Sequence, residues 1–160
     1  MEITYRPATL GDAAVLLSWR NNSSAREYSM NSRIISNDEH LKWLSDRLKK
    51  AQLEPFLIFA KDAKLIGMCR LDVISGSDDK NEISILVDSI QQGKGIGKRI
   101  LEITCEFFFN LSPDKTIVAN VHRSNFVSQK LFTGAGFELI KLEGEFFCFE
   151  KTFKPKPTHF

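Results

Sequence analysis

The chain has 160 residues, with 22 Lys and Arg against 20 Asp and Glu, for a formal net charge of +2. That length suits one domain around one core, and so small a charge excess offers no basic surface for non-specific binding of nucleic acid. Cys69, Cys105 and Cys148 stand far apart in apolar segments without zinc-ligand or redox spacing, which predicts reduced, buried thiols and no metal centre.

The opening MEITYRPATL lacks the basic end and apolar block of a signal peptide, and no apolar run approaches the ~20 residues that cross a bilayer. The expectation is a cytoplasmic protein with no membrane or nucleic-acid partner. One domain is expected over residues 1–153, followed by a loose, proline-bearing tail over 154–160. EITYRPA reads as a strand ending at Pro7. TLGDAAVLLSWRNN reads as a helix that Thr9 or Asp12 caps, with Ala13, Leu16, Leu17 and Arg20 at helical spacing. SSAREYSMNSRII is polar and irregular, a loop. SNDEHLKWLSDRLKK predicts a second helix, with Ser36 and Glu39 as a capping box and Leu41, Leu44 and Leu48 as the buried stripe.

The period then shifts to that of strands. PFLIFAKD and KLIGMCRLDVI flank a tight turn at 62–64, SGSDDKN turns again, and EISILVD is the next strand. IGKRILEITCEFFFN predicts a long helix with Ile96, Ile100, Ile103 and Phe107 on one face. DKTIVANVH is a strand, NFVSQKLFTGAG a short helix ending in glycine, and FELIKL with EFFCFEKTF a hairpin turning near Gly144. The order β-α-α-β-β-β-α-β-α-β-β predicts an α/β (α+β) sandwich around a mixed, largely antiparallel sheet.

Between the EISILVD strand and the long helix lies QQGKGIGKR. A Walker loop fails here, because Gln92 occupies its first glycine position and Arg99 follows Gly97-Lys98. Both Rossmann registers fail as well, with Lys98 or Ile100 where the third glycine belongs. The context still suits a phosphate. A strand feeds a glycine loop that opens a helix, whose first N–H groups lack intrahelical partners and sit at the positive end of the helix dipole. Lys94, Lys98 and Arg99 add charge. On the loop alone, a solvated turn explains these residues equally well.

The spacing Gln92-Gly93-Lys94-Gly95-Ile96-Gly97 resembles the pyrophosphate loop, Gln/Arg-x-x-Gly-x-Gly/Ala, of the GNAT superfamily of acetyl-CoA-dependent N-acetyltransferases. Downstream, NFVSQKLFTGAGFE is similar to that family's Asn-x-x-Ser/Ala…Gly-Phe element. The resemblance spans nearly the whole chain and implies acetyl-CoA as co-substrate. It implies that the pyrophosphate lies on N–H groups from Gly93 to Lys98, and that the pantetheine arm pairs along Ser84, Ile85, Leu86 and Val87. Asn125, Ser128 and Phe132 are the implied further contacts; a helix N-cap explains Asn125 too.

In that family a neutral amine attacks the thioester. Glu82 holds a position that often supplies the base through water, although an exposed strand-end carboxylate explains it as well. The implied oxyanion donor is a main-chain N–H near Leu86 or Val87. The chain departs from many relatives at Phe132, where a tyrosine often supplies the acid. Ser128, His122 and Tyr28 are alternatives, or the thiolate leaves unassisted, a thiol being far more acidic than an alcohol. Binding without turnover, an acyl-CoA sensor, is the remaining reading. For the acceptor, Trp19-Arg20-Asn21, Arg26, Met30 and His40-x-x-Trp43 resemble the branch that acetylates amino-sugar nucleotides, as in pseudaminic-acid synthesis. Related spacing occurs in the branch that acetylates N-termini of ribosomal proteins. Arg20 and Arg26 could meet a diphosphate, and aromatic faces a base or sugar. Core packing explains Trp19 and Trp43 as well, and surface ion pairing the two arginines. The acceptor partner is thus a small-molecule amine, and a homodimer is compatible with a sequence that carries no signal of oligomeric state.

Overall fold

The computed structural model describes residues 2–155 and Pro157. Of the expected tail at 154–160, residues 156 and 158–160 lie outside the described residues. Seven strands form one sheet: β1 (Ile3–Pro7), β2 (Phe56–Lys61), β3 (Lys64–Val73), β4 (Lys80–Val87), β5 (Thr116–His122), β6 (Glu138–Glu143) and β7 (Phe146–Thr152). Their order across the sheet is β1-β2-β3-β4-β5-β7-β6. Every neighbouring pair is antiparallel except β4 and β5, so the expected mixed, largely antiparallel architecture is borne out.

The helices are α1 (Ala13–Asn21), α2 (Ser23–Glu27), α3 (Asn37–Leu48), α4 (Ile96–Leu111) and α5 (Phe126–Gly134). Strand alternation sends side chains to two cores. Leu57 and Phe59 of β2, Cys69 and Leu71 of β3, and Ile83 of β4 pack with Ile100, Leu101, Cys105 and Phe108 of α4. Phe56, Ile58 and Met68 on the other face pack with Leu16 and Trp19 of α1 and Leu44 of α3. The sheet is thereby sandwiched between α4 with α5 and α1 with α3.

Several local expectations change. The stretch read as a loop after residue 22 contains α2, because the Asn22 side chain accepts from the Ser24 N–H at 3.0 Å and starts a helical turn. No side chain caps α1; it follows a 3₁₀ turn at Leu10–Asp12. Thr9 and Asp12 do form a capping box on that 3₁₀ turn, the Asp12 carboxylate accepting from the Thr9 N–H at 2.8 Å, and Arg6 Nη1 and Nη2 donate to the same carboxylate at 2.8 Å. In α3 the Ser36 hydroxyl accepts from the Glu39 N–H at 3.2 Å, but the Glu39 carboxylate pairs with Arg33 rather than completing a capping box. The buried residues of α3 are His40, Leu44 and Arg47, with Leu41 and Leu48 only half-buried. The buried face of α4 runs through Ile96, Ile100, Leu101, Thr104, Cys105 and Phe108, leaving Ile103 and Phe107 at its margin. Cys69 and Cys105 are buried free thiols, whereas Cys148 is only half-buried.

One feature of the sheet positions the candidate site. β4 and β5 pair over just Lys80–Thr116, Asn81–Ile117 and Glu82–Val118. Beyond that point β4 stays paired to β3 as far as Val87, and β5 to β7 as far as His122. The two strands therefore part, and the β5-facing edge of β4 past Glu82 has no strand partner among the described residues.

Candidate active site

The glycine loop joins the open end of β4 to α4. Gly93 and Gly95 have φ of 78° and 76°, in the left-handed region that costs any other residue energy. Gly95 is the N-cap of α4 and supplies no side chain to it. Arg99 donates to the Gly95 carbonyl at 3.3 Å, while the N–H groups of Ile96, Gly97 and Lys98 have no acceptor among the described residues. Three aligned donors at a helix N-terminus, beside the Lys98 ammonium, form an anion seat. Gln92 ties the loop to the strand, its Nε2 donating to the Val87 carbonyl at 3.3 Å.

This seat lies in a cleft of about 760 Å³. Ile85, Leu86 and Val87 of the unpaired strand edge, the loop residues Gln92, Gly93, Gly95, Ile96, Gly97 and Lys98, and Asn125 and Ser128 of the α5 start all line it. Lys94 does not. Asn125 is indeed the N-cap of α5, its Oδ1 accepting from the Ser128 N–H at 3.2 Å, and as a cleft-lining residue it is also positioned to reach a ligand. Phe132 is not in the cleft: it is 4% exposed and packs edge-on against Phe137 with ring centroids 5.0 Å apart. Of the other acid candidates, Ser128 and Tyr28 line the cleft and His122 does not. The Tyr28 ring instead lies on that of His122, 5.5 Å away.

Glu82 lines neither this cleft nor its neighbour. It sits at the last β4–β5 pair, where the Asn120 side chain donates to its carboxylate. Strand spacing puts it on the same face as Ser84 and Leu86, about 7 Å from the first of them, so it reaches the cleft only through intervening groups.

A second cavity of about 340 Å³ adjoins the first, sharing Ala25, Ile85 and Leu86 as walls. Arg20, His40 and Trp43 line it, together with Arg33, Glu39, Arg70 and Ser84, none of which the sequence singled out for an acceptor. Trp19 is 7% exposed and belongs to the α1–α3 core, with one side on the larger cleft. The remaining expected acceptor residues lie elsewhere. Asn21 brackets the Ile35 backbone, donating to its carbonyl and accepting from its N–H, both at 2.9 Å. Arg26 donates to the Asn21 and Ser32 carbonyls, and Met30 stands 71% exposed outside both cavities. Asn21 and Arg26 thus shape the wall between α1 and α3.

Burial lowers the His40 pKa, opposed by a hydrogen bond to the Ala13 backbone, so the imidazole is neutral at pH 7. Burial also lowers Arg70 to about 10. Among the described residues, no group of three His, Cys, Asp or Glu side chains is placed to hold a metal ion, and no helix is long and apolar enough to cross a membrane.

The acetyltransferase (GNAT) domain family matches residues 2–138. Among solved structures, ribosomal-protein-alanine N-acetyltransferase from Brucella melitensis is similar with a TM-score of 0.78 and 21% identity, over 94% of this chain and 99% of that one. Spermidine N-acetyltransferase from Vibrio cholerae, in complex with CoA and spermine, gives 0.80 and 20% over 93% and 94%. AAC(6')-Ib in complex with ribostamycin and coenzyme A gives 0.81 and 22% over 95% and 94%. At such identities the likeness is one of fold. No curated protein matches the sequence.

Proposed function

The chain belongs to the GNAT acetyltransferase family, and from that we propose that it moves an acetyl group from acetyl-CoA to the primary amine of a small molecule seated in the second cavity. The observation that carries this reading is the meeting of three features. An unpaired strand edge opens onto a helix N-terminus with unmet N–H groups, and a separate polar cavity joins it at Ile85 and Leu86. The CoA found in two of the similar folds is consistent with it.

Acetyl-CoA supplies an acyl group activated as a thioester. The residues of the chain do the rest. The first turn of α4 and Lys98 hold the pyrophosphate. The free edge of β4 pairs with the amides of an extended arm, as a sheet edge pairs with an added strand. A main-chain N–H near Leu86 or Val87 stabilises the oxyanion. His40 Nε2, buried and without a partner, or Glu82 through water, takes the proton from the amine. Tyr28 or Ser128, both lining the cleft, protonates the departing thiolate.

Within the small-molecule class, an amino-sugar nucleotide is the finer reading. Its support is the Trp19-Arg20-Asn21 and His40-x-x-Trp43 resemblance, with Arg20, His40 and Trp43 all on one cavity. The test is CoA release from acetyl-CoA across a panel of amino-sugar nucleotides, N-terminal peptides and polyamines. Release with the sugars is expected. Release only with peptides would replace this acceptor with a protein N-terminus, and acetyl-CoA binding without release from any amine would leave a sensor.

A further inference from the structure

We infer that the second cavity is an anion-binding site, and that it selects amines carrying a carboxylate or phosphate of their own. This deepens the reading of that cavity as the acceptor site and rests on it.

Three residues lining the cavity each bury a nitrogen that has no hydrogen-bond partner among the described residues: Arg20 Nη1, His40 Nε2 and Arg70 Nε. Buried polar atoms are almost always paired, so three unpaired ones around one cavity point to a ligand that completes them. His40 is 4% exposed. Among the described residues the Arg20 guanidinium makes one hydrogen bond, Nη2 to the Asn31 carbonyl at 2.6 Å. Arg70 is fixed more firmly. Its Nη1 donates to Asp72, and its guanidinium lies 5.1 Å over the Trp43 ring.

The charges of the cavity do not balance internally. Arg20, Arg33 and Arg70 line it, and the one lining carboxylate is Glu39, both of whose oxygens Arg33 occupies. Asp72 is shared between Arg70 and Arg47. Arg20 therefore faces other arginines with no carboxylate of its own. Its pKa is lowered by burial first and then by repulsion from Arg26 and Arg33. An anion placed between Arg20 and Arg70 relieves that repulsion and gives charge-assisted bonds, with planar guanidinium forks suited to carboxylate or phosphate. A neutral His40 adds no charge and suits a hydroxyl or an amine. The amine end of the same ligand then falls toward Ile85 and Leu86, the walls shared with the donor cleft.

The test uses the full chain saturated with CoA, so that the α4 seat is filled. It titrates O-phosphoethanolamine, glycine, UDP and ethanolamine at constant ionic strength, reading the fluorescence of Trp19 and Trp43. At least one probe bearing a carboxylate or phosphate should bind ten- to a hundredfold more tightly than ethanolamine, about what one charge-assisted bond supplies. UDP in the lead would assign the anion to a nucleotide; O-phosphoethanolamine or glycine in the lead would assign it to the amine-bearing group itself. Arg20→Gln should abolish the preference while CoA affinity is unchanged, and Arg70→Lys, which keeps a partner for Asp72, should weaken it. Equal binding of ethanolamine and all three carboxylate- or phosphate-bearing probes would overturn the inference, as would an Arg20→Gln protein that retains the preference. If the anion preference holds but no amine on the panel releases CoA, the transferase reading fails and the anion site stands. If neutral amines are acetylated as well as anionic ones, only the anion site fails.

Discussion

The three loop glycines look equivalent in sequence and differ in structure. Gly95 needs its positive φ, so Gly95→Ala should cost about 1–2 kcal/mol in denaturant unfolding and weaken CoA binding in calorimetry by tilting the first turn of α4. Gly97 lies inside α4, where an added Cβ would meet Val87 and Leu131 at ordinary contact distances of 3.6 and 3.7 Å. Gly97→Ala should therefore leave stability equal or higher, alanine being the better helix former by roughly 1 kcal/mol. His40 yields a pH signature. Its folded pKa lies below the ordinary 6.5, so the unfolded chain binds the proton more readily. The stability tied to keeping it neutral is present above about pH 6.5 and is lost as pH falls below it. The urea midpoint should drop on acidification toward about pH 5.5 in the native protein and drop less in His40→Gln. A pH-independent difference between the two would mean that the imidazole titrates as it does in water.

At the scale of elements, the helix and strand order was legible because apolar period changes from helical to alternating near residue 55. What stayed hidden is polar. Arg47 follows His40 and Leu44 on the inner face of α3, where a pattern search expects Leu48. It is 6% exposed, pairs with Asp72 at 2.7 Å, and donates to the carbonyls of Glu54, Pro55 and Leu71. Charged residues read as a solvent face in any hydrophobic count, so neither Arg47 nor Arg70 announced itself. Arg47→Ala should destabilise by about 3–5 kcal/mol, because it strands Asp72, the Leu71 carbonyl on β3 and the Glu54 and Pro55 carbonyls just before β2. The β3–β4 approach is equally tight. A Cβ on Gly67 would lie 2.6 Å from the Leu86 carbonyl oxygen and 3.0 Å from Ile100. Gly67→Ala should cost about 1–3 kcal/mol and, by shifting Leu86, raise KM for donor and acceptor together.

For the whole molecule, two cavities meet at the β4 edge, the larger proposed above for the donor and the smaller for the acceptor. That the glycine loop and Asn125 line one cleft was legible because backbone spacing and glycine placement are written directly in sequence. The smaller cavity was only half legible: Arg20, His40 and Trp43 line it together, while Arg33, Arg70 and Ser84 come to it from segments that only folding brings near. Phe132 could not be placed from spacing either, since a core ring and a cleft ring look alike at that position. The thiols bear on the kinetic mechanism. Burial pushes Cys69 far up and Cys105 up to about 12, and none of the three cysteines lines either cavity, so no thiolate is placed to carry an acetyl group. Initial-rate plots at varied acetyl-CoA and amine should intersect; parallel lines would require a covalent acetyl-enzyme.

The parting of β4 from β5 has a mechanical side. Three residue pairs, Lys80 with Thr116 through Glu82 with Val118, are the only main-chain rungs between the leaf β1–β4 and the leaf β5–β7 among the described residues. The sheet is thus a hinged pair of leaves fastened at one end. An extended ligand with amides of its own, laid along the open edge of β4, adds rungs where the chain has none. If the proposed donor lies along that edge, part of the stiffness of this fold is borrowed from the molecule it consumes and returned each time CoA departs.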